Sequence, residues 1–383
     1  MATRESIRLA MLRIAAHLPA RLGNASAPKT MEGRRVLLIR PDHIGDVLFT
    51  TPALRILRDA LPKAHIAYLV GDWAYEIVTR NENVDEVIRC PFPWFSRKPK
   101  GSALDPYFLL VQEAKKLRDY GFDTAINLRF DFWWGAMLAR FAGIPERVGY
   151  DTAECRPFLT RAVPYVRDKH EVMQNVHLVR SYLEQEAAAG DAGPLDFPLL
   201  EGDEKFAITW LGESRPRRLL ILIHPGAGAP VKLWRADAFA RVGDALAEKH
   251  GASIVLTGSP SEEALVEGIA EQMKSKPETI TDVTIGRLAA ILKRCSLALG
   301  TDSGVLHLAV AMGVPTVHLY GPVNVATFGP WGDSTRHRVV TSQLPCIPCN
   351  RLDFTAPELS EHTCITAISE EQVLREVEAL LTN

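Results

Sequence analysis

The chain has 383 residues, 47% of them hydrophobic and 23% charged, with a formal net charge of −2. Such a profile is that of a globular protein too long for one ordinary core, so two domains are expected, and its near-neutral charge provides no bulk attraction to nucleic acid. No apolar run approaches the ~20 residues of a membrane span, no secretory signal with a cleavage site opens the chain, and six cysteines are too few for a disulfide scaffold, so a reducing cytoplasm is the expected setting.

Residues 1–33 form an arm ahead of the first strand. Ile7, Leu9, Ala10, Leu12, Ile14, Ala15 and Leu18 interleave with Arg4, Arg8, Arg13 and Arg21, a basic apolar helix ending near Pro19 and Gly23. Two uses fit it: lying in the interface of an anionic membrane, or packing on the protein itself or on another subunit. Asn24–Lys29 reads as a flexible link.

Residues 34–190 read as a first α/β half. Arg35–Arg40 is a short apolar strand of the kind buried in a parallel sheet. It is followed by Pro41-Asp42-His43-Ile44-Gly45-Asp46 and then a helical face of Val47, Leu48, Ala53, Leu54, Ile56 and Leu57. A Gly-Asp turn thus stands at the carboxyl end of the first strand, the edge where open α/β sheets place their sites. Strands His65–Val70, Glu86–Arg89 and Thr124–Leu128 follow, with a helix over Phe108–Tyr120. The loop Pro91–Pro106 brings Phe92, Trp94 and Phe95 close in sequence to Arg97, Lys98 and Lys100. It reads either as a binder of a phosphorylated sugar or headgroup, or as a solvated loop. Arg129, Trp133 and Trp134, just past a strand end, are candidates to line an acceptor site, with core packing the alternative for the tryptophans. Arg147–Lys169 reads as loops and short strands, and His170–Ala188 as a helix. Ala187–Pro198, with two Gly, two Pro and two Asp, reads as the linker.

Residues 191–368 read as a second α/β half. Strand Leu219–Ile223 runs into His224-Pro225-Gly226-Ala227-Gly228-Ala229-Pro230-Val231-Lys232, with a helix from Ala236. Backbone amides plus one lysine charge suit a diphosphate, although P-loop spacing is absent. Strand Ser253–Thr257 ends in Gly258-Ser259-Pro260-Ser261-Glu262-Glu263, where Ser261 looks like a helix start. An acid such as Glu262 either reaches a ribose hydroxyl or caps the helix. Helix Ile285–Cys295 precedes an apolar strand leading into Thr301-Asp302-Ser303-Gly304, from which a helix with Leu306, His307, Ala309 and Val310 departs. Free amides at such a turn favour an anion. Asp302 repels one, so it either caps the helix or meets a non-phosphate part of the ligand. Strand Pro315–Tyr320 ends in Gly321-Pro322-Val323-Asn324. Residues 369–383 close the chain as a helix over Ser369–Leu381, with Ser369 and Gln372 at capping-box spacing.

Taken in order, Asp42-His43-Ile44-Gly45-Asp46-Val47, His224-Pro225-Gly226 with Lys232 and Trp234, Thr301-Asp302-Ser303-Gly304 with His307, and Gly321-Pro322 resemble glycosyltransferase family 9, the ADP-heptose:lipopolysaccharide heptosyltransferases. The resemblance covers roughly residues 34–335. It implies a GT-B fold of the α/β class: two Rossmann-like domains facing across a cleft, with the acceptor on the first and the nucleotide sugar on the second. It implies inverting transfer of a sugar, heptose from ADP-heptose, to a hydroxyl of a lipopolysaccharide core or other glycan or lipid-linked acceptor. No cofactor and no nucleic-acid partner are expected, and because no DxD-like carboxylate pair stands at a sheet edge, no catalytic metal is expected either. Asp46 matches the family's general base. Lys232 matches the residue that neutralises the leaving diphosphate. Ser303 and Gly304 match the phosphate-holding amides, with Gly226, Ala227, Gly228, Glu262 and Thr301 joining the donor site. Asp302 matches the residue that grips donor hydroxyls, and His307 lines the donor site or is satisfied inside the fold. Asp42, His43, Arg129 and Trp133 fall to the acceptor. The 33-residue arm is a departure from the family pattern and carries the expectation of peripheral contact with the inner face of the inner membrane.

Cys346-Ile347-Pro348-Cys349, with Cys364 and His362, has enough soft ligands for a structural zinc or iron, set against free thiols or a redox pair. Two rival functions remain at this level: a GT-B enzyme acting on another nucleotide sugar, and a non-catalytic nucleotide-sugar-binding protein.

Overall fold

The computed structural model describes residues 2–17, 33–95, 102–185, 192–212 and 219–382. The end of the arm helix at Pro19 and Gly23, the link Asn24–Lys29, the basic residues Arg97, Lys98 and Lys100, and the start of the expected linker lie outside the described residues. The chain divides into two compact units, Met1–Gly193 and Pro194–Asn383.

The first unit opens with helix α1 (Ala2–His17), then runs β1 (Arg35–Arg40), α2 (Ile44–Leu48), α3 (Thr51–Ala60), β2 (His65–Val70), α4 (Tyr75–Thr79), β3 (Glu86–Arg89), α5 (Asp105–Asp119), β4 (Thr124–Asn127), α6 (Trp133–Phe141), β5 (Glu146–Tyr150), β6 (Arg161–Val163) and α7 (Glu171–Tyr182). Its six strands are ordered β3-β2-β1-β4-β5-β6, all parallel. Both faces of such a sheet are covered by crossover helices, which is why β1 and β2 are apolar along nearly their whole length and buried.

The second unit runs α8 (Glu201–Leu211), β7 (Leu220–His224), α9 (Ala236–His250), β8 (Ser253–Thr257), α10 (Glu263–Gln272), β9 (Glu278–Ile280), α11 (Ile285–Leu292), β10 (Leu297–Thr301), α12 (Gly304–Ala311), β11 (Thr316–Tyr320), α13 (Val325–Phe328), β12 (His337–Thr341), α14 (Ala356–Leu359) and α15 (Glu370–Leu381). Its strand order, β12-β11-β10-β7-β8-β9, repeats the first unit's pattern when counted from its own first strand. The order in which strands are added therefore reverses at one point in each parallel sheet, between β1 and β4 in the first and between β7 and β10 in the second. Crevices at such switch points, outside the carboxyl ends of the strands, are where open α/β sheets bind ligands.

Several expectations shift. The helix expected over His170–Ala188 begins at Glu171, with His170 as N-cap, and ends at Tyr182. The helix start placed at Ser261 belongs to Ser259, whose side chain and backbone close a capping box with Glu262. Strands β9 and β12 and helix α8 were not anticipated. The arm helix packs on its own unit: Leu12 is buried in the core beneath the β1 sheet, and Arg8 pairs with Glu154 at 2.9 Å. At the other end of the chain, Ser369 and Gln372 form the capping box that starts α15.

Candidate active site

In the first unit the carboxyl ends of β1 and β4 hold a compact charge cluster. Arg40 is the last residue of an otherwise apolar strand and its side chain is only 2% exposed, so its charge has to be met within the protein. Its guanidinium lies 2.6 Å from Asp42, 3.2 Å from Glu171 at the start of α7 and 3.5 Å from Asp46 in α2. It also donates to the Leu128 carbonyl at 2.7 Å, just past β4. Asp42 is shared: Arg129, beyond β4, pairs with its other oxygen and with Asp131 at 2.5 Å. Glu171 in turn accepts from the Tyr165 hydroxyl at 3.1 Å.

Asp42 and Asp46, four residues apart, are driven in opposite directions. Burial works against ionised Asp42, but Arg40 and Arg129 outweigh it and hold this carboxyl below its ordinary range. Asp46 is pushed up to about 7 by burial and by the negative charge of Asp42, against the pull of Arg40. One carboxylate is thus a fixed anion, and the other is poised to take a proton near neutral pH.

The other expected residues of this unit fall around the cluster. His43 occupies the N-cap position of α2, its ring 5.5 Å from Trp73. Trp133 lies 5.5 Å from the exposed Trp94. Phe95 packs against Phe132, with the Arg129 guanidinium 5.2 Å from its ring. Trp134 and Phe92 are buried core residues, and the Trp134 indole donates to the Pro106 carbonyl. Neither serves a ligand, because each ring is enclosed by its neighbours.

In the second unit the loops after β7 and β10 meet. Thr301 donates to the Gly226 carbonyl at 2.5 Å. Lys232 Nζ stands 2.7 Å from Asp302 Oδ2, both side chains being nearly buried. His307, one turn into α12, approaches the other Asp302 oxygen at 3.7 Å. Burial opposes the charge of Asp302, but Lys232 and His307 hold its carboxyl well below the usual range. The N-cap position of α12 belongs to Ser303, not Asp302, and its side chain makes no cap hydrogen bond. The Ser303 hydroxyl is buried with no hydrogen-bond partner among the described residues. Glu262 packs against the Gly226 backbone so closely that a Cβ there would overlap its carboxylate. Its other oxygen accepts from Ser259 N at 2.7 Å and Ser259 Oγ at 2.8 Å. Glu262 therefore caps and also faces the β7 loop. Trp234 is a core residue, its indole donating to the Ile368 carbonyl at 3.0 Å.

Two features escaped the sequence reading. Arg40 and Glu171 are one; the available signal was an arginine inside a buried apolar strand. The other is a buried histidine run: His318 and His337 both bond Thr316 Oγ1 at 2.9 Å, and the His318 ring lies 5.6 Å from His307. Burial lowers both histidines, His337 to about 4.

The cysteines stand as free thiols, with Cys346 and Cys349 exposed and Cys364 buried. Cys364 packs against Gly321, where a Cβ would sit 3.2 Å from its sulfur. Among the described residues no group of three or more His, Cys, Asp or Glu side chains is arranged to hold a metal ion, so of the readings open at Cys346, Cys349 and Cys364 the arrangement is that of free thiols.

Two Rossmann-like units in tandem, each with polar residues gathered at its own switch point, define the GT-B class of glycosyltransferase. The chain belongs to glycosyltransferase family 9 (heptosyltransferase), whose model matches residues 111–357. Lipopolysaccharide heptosyltransferase 1 of Pseudomonas aeruginosa is 24% identical over 365 residues, covering 91% of this chain and 98% of that protein. A family 9 glycosyl transferase from Veillonella parvula superposes with a TM-score of 0.76 at 27% identity, covering 94% of this chain and all of that one. The Escherichia coli heptosyltransferase WaaC, solved with ADP-2-deoxy-2-fluoro heptose, shares the fold at a TM-score of 0.64 and 20% identity, covering 90% and 99%.

Proposed function

We propose that this glycosyltransferase moves a heptose from ADP-heptose to a hydroxyl of a lipopolysaccharide core or related glycan acceptor, with inversion. The observation that carries the chemistry is Asp46, a half-buried carboxylate beside Arg40 raised to about 7, since a general base works best with a pKa near the operating pH. The donor identity is supported by the heptosyltransferase from Pseudomonas aeruginosa, similar over nearly its whole length, and by WaaC, solved with an ADP-heptose analogue.

The step assigns a role to each unit. Asp46 takes the proton from the acceptor hydroxyl, whose oxygen forms the new bond to the anomeric carbon as the bond to the diphosphate breaks. ADP leaves with the electron pair. Lys232 has three N–H donors, so it can hold Asp302 and still meet the developing diphosphate charge. The α12 amides at Ser303 and Gly304 and the Ser303 hydroxyl favour phosphate oxygens. Asp302 takes sugar hydroxyls with His307, and Glu262 the ribose, beside Gly226, Ala227 and Gly228. Asp42, His43, Arg129 and Trp133 form the acceptor side, where Arg129 suits an anionic sugar. The reaction needs no metal in this scheme. The setting is the cytoplasm at the membrane's inner face; among the described residues no helix is long and apolar enough to cross a membrane.

The test is direct. Purified protein is incubated with ADP-heptose and a heptose-free core acceptor, and the acceptor's mass and ADP release are followed. One added heptose per acceptor is expected. Transfer from another nucleotide sugar instead would overturn the donor assignment, and donor binding without any transfer would overturn the enzymatic reading.

A further inference from the structure

Arg40 does not divide its hydrogen bonds evenly among the carboxylates around it. Its terminal nitrogens Nη1 and Nη2 both donate to Glu171 Oε2, at 3.2 Å each. Nη1 also donates to the Leu128 carbonyl at 2.7 Å and to Asn175 Oδ1 at 3.5 Å. Asp46 stands 3.5 Å from Nη2, the nitrogen whose hydrogen bond goes to Glu171. The guanidinium is therefore turned towards α7, and it meets Asp46 as a neighbouring charge rather than as a donor.

Glu171 is held where it is. It is buried and opens α7, a helix of 12 residues, at the positive end of the helix dipole. Its Oε1 accepts from the Tyr165 hydroxyl at 3.1 Å. Its backbone carbonyl accepts from Asn175 Nδ2 at 2.8 Å, which ties the second α7 partner of Arg40 to the same turn. The charges around Asp46 are also unequal. Two guanidiniums, Arg40 and Arg129, face the carboxylates of Asp42, Asp131 and Glu171 before Asp46 is counted, so an ionised Asp46 is a surplus anion. The other titratable groups on the elements packed against it do not change this. Burial keeps the hydroxyls of Tyr68 on β2, and of Tyr150 and Tyr165 behind Glu171, neutral. His43 at the start of α2, and His170, whose ring packs edge-on against Phe49 at the end of α2, add only positive charge when protonated, which favours ionised Asp46.

We propose that Glu171 is a positioning residue for the transfer step: by taking the hydrogen bonds of Arg40 it keeps that guanidinium from closing on Asp46, and so leaves the Asp46 carboxylate open to the proton of the acceptor hydroxyl. A carboxylate forked by a buried guanidinium is a weak base, because its lone pairs are occupied and its charge is matched. Glu171, itself buried, acts through Arg40 and not on the substrate. The inference rests on the reading of Asp46 as the general base. If Glu171 loses its charge, Asp46 becomes the matching anion and Arg40 turns to it. The Glu171 and Asp46 oxygens share Nη2 and lie at most about 7 Å apart, so at an effective dielectric of about 20 the loss of their repulsion lowers the Asp46 midpoint by about 1.5 pH units or more.

The test reads the Asp46 carboxyl both directly and through catalysis. In infrared difference spectra of the full chain its protonated C=O stretch is the band missing from Asp46→Asn, and kcat/KM from ADP release gives the acid limb of the rate. In Glu171→Gln both midpoints should fall by about 1.5 units or more, with a lower kcat plateau as the base weakens and an unchanged KM for ADP-heptose. Glu171→Asp keeps the charge but draws it back from Arg40 by one methylene, so its midpoints should fall by less than half as much. It also covers the event that Glu171→Gln does not fold, since unmoved midpoints in Glu171→Asp would then overturn the proposal. Midpoints that stay in place or rise in a folded Glu171→Gln would overturn it too, as would a loss of kcat with no shift, the mark of a purely structural role. The two readings fail separately. A band that shifts in Glu171→Gln while Asp46→Asn retains full turnover would leave the control of Asp46 by Glu171 standing and overturn the general-base reading. Turnover abolished in Asp46→Asn, with an immobile band in Glu171→Gln, would overturn the positioning role alone.

Discussion

Replacing Asp42 with asparagine should lower the pH at which the enzyme switches on. Asp42 and Asp46 flank one guanidinium, 2.6 Å and 3.5 Å from Arg40. Oxygens at those distances from two nitrogens of one guanidinium are at most about 8 Å apart, so at an effective dielectric of about 20 their repulsion is at least about 2 kcal/mol, or about 1.5 pH units. Asp42→Asn removes that repulsion and frees Arg40 and Arg129 to act more strongly on Asp46, so both changes favour ionised Asp46. The assay is kcat/KM from initial rates of ADP release across the neutral range, which reports the free enzyme's base. The wild-type acid limb is expected at about 7. In the variant it should fall about 1.5 units lower, with a lower plateau because the base is weaker. An acid limb that stays in place or rises would refute the assignment of Asp46 as the titrating base.

Asp46→Asn should cost about 10²- to 10⁴-fold in turnover while donor binding persists, as measured by kcat beside a thermal-shift titration with ADP-heptose. Because folding raises this carboxyl, its protonated form is favoured in the native state and wild-type stability relative to the variant is lost as pH rises from the ordinary 3.8 through about 7. Asp46→Asn should therefore melt above wild type at pH 8, with the gap closing below pH 4. Lys232→Met strands the buried Asp302 and should destabilise by about 3–5 kcal/mol, much of it recovered when Asp302→Asn is added, as read by denaturant unfolding. Gly226→Ala would drive a methyl group into Glu262, and should weaken donor binding more than it lowers kcat. Ser369→Ala removes the α15 capping box and should lower stability by about 1 kcal/mol, about 2–4 °C in Tm.

The central strands were legible because a parallel sheet covered on both faces demands unbroken apolar runs; β1, β2 and β8 begin and end where the residue pattern places them. Edge strand β3 was placed as well, but the two edge strands of the second unit were not. β12 opens on His337 and Arg338 and is half-covered, and β9 is only three residues long, so neither presents such a run. The Gly-Asp turn after β1 and the Asp302 turn after β10 were visible as local chemistry. The resemblance gave Asp302 a partner in the donor sugar. Its partnership with Lys232 is a tertiary fact, joining residues from two crossover units. Arg40 and Glu171 lie further beyond reach: 131 residues separate them, and only the folded sheet shows that Arg40 needs three carboxylates. For Trp134 the sequence left two readings open, acceptor site or core; packing with Phe92 and Phe132 claims the ring for the core.

A base balanced near neutrality also makes acceptor binding a proton event. At pH 7 Asp46 spends about half its time protonated, and an incoming hydroxyl that requires the carboxylate must expel that share, so binding should release about half a proton per site, falling towards zero at pH 9. Titration calorimetry in buffers of different ionisation enthalpy would count those protons with no chemical turnover at all.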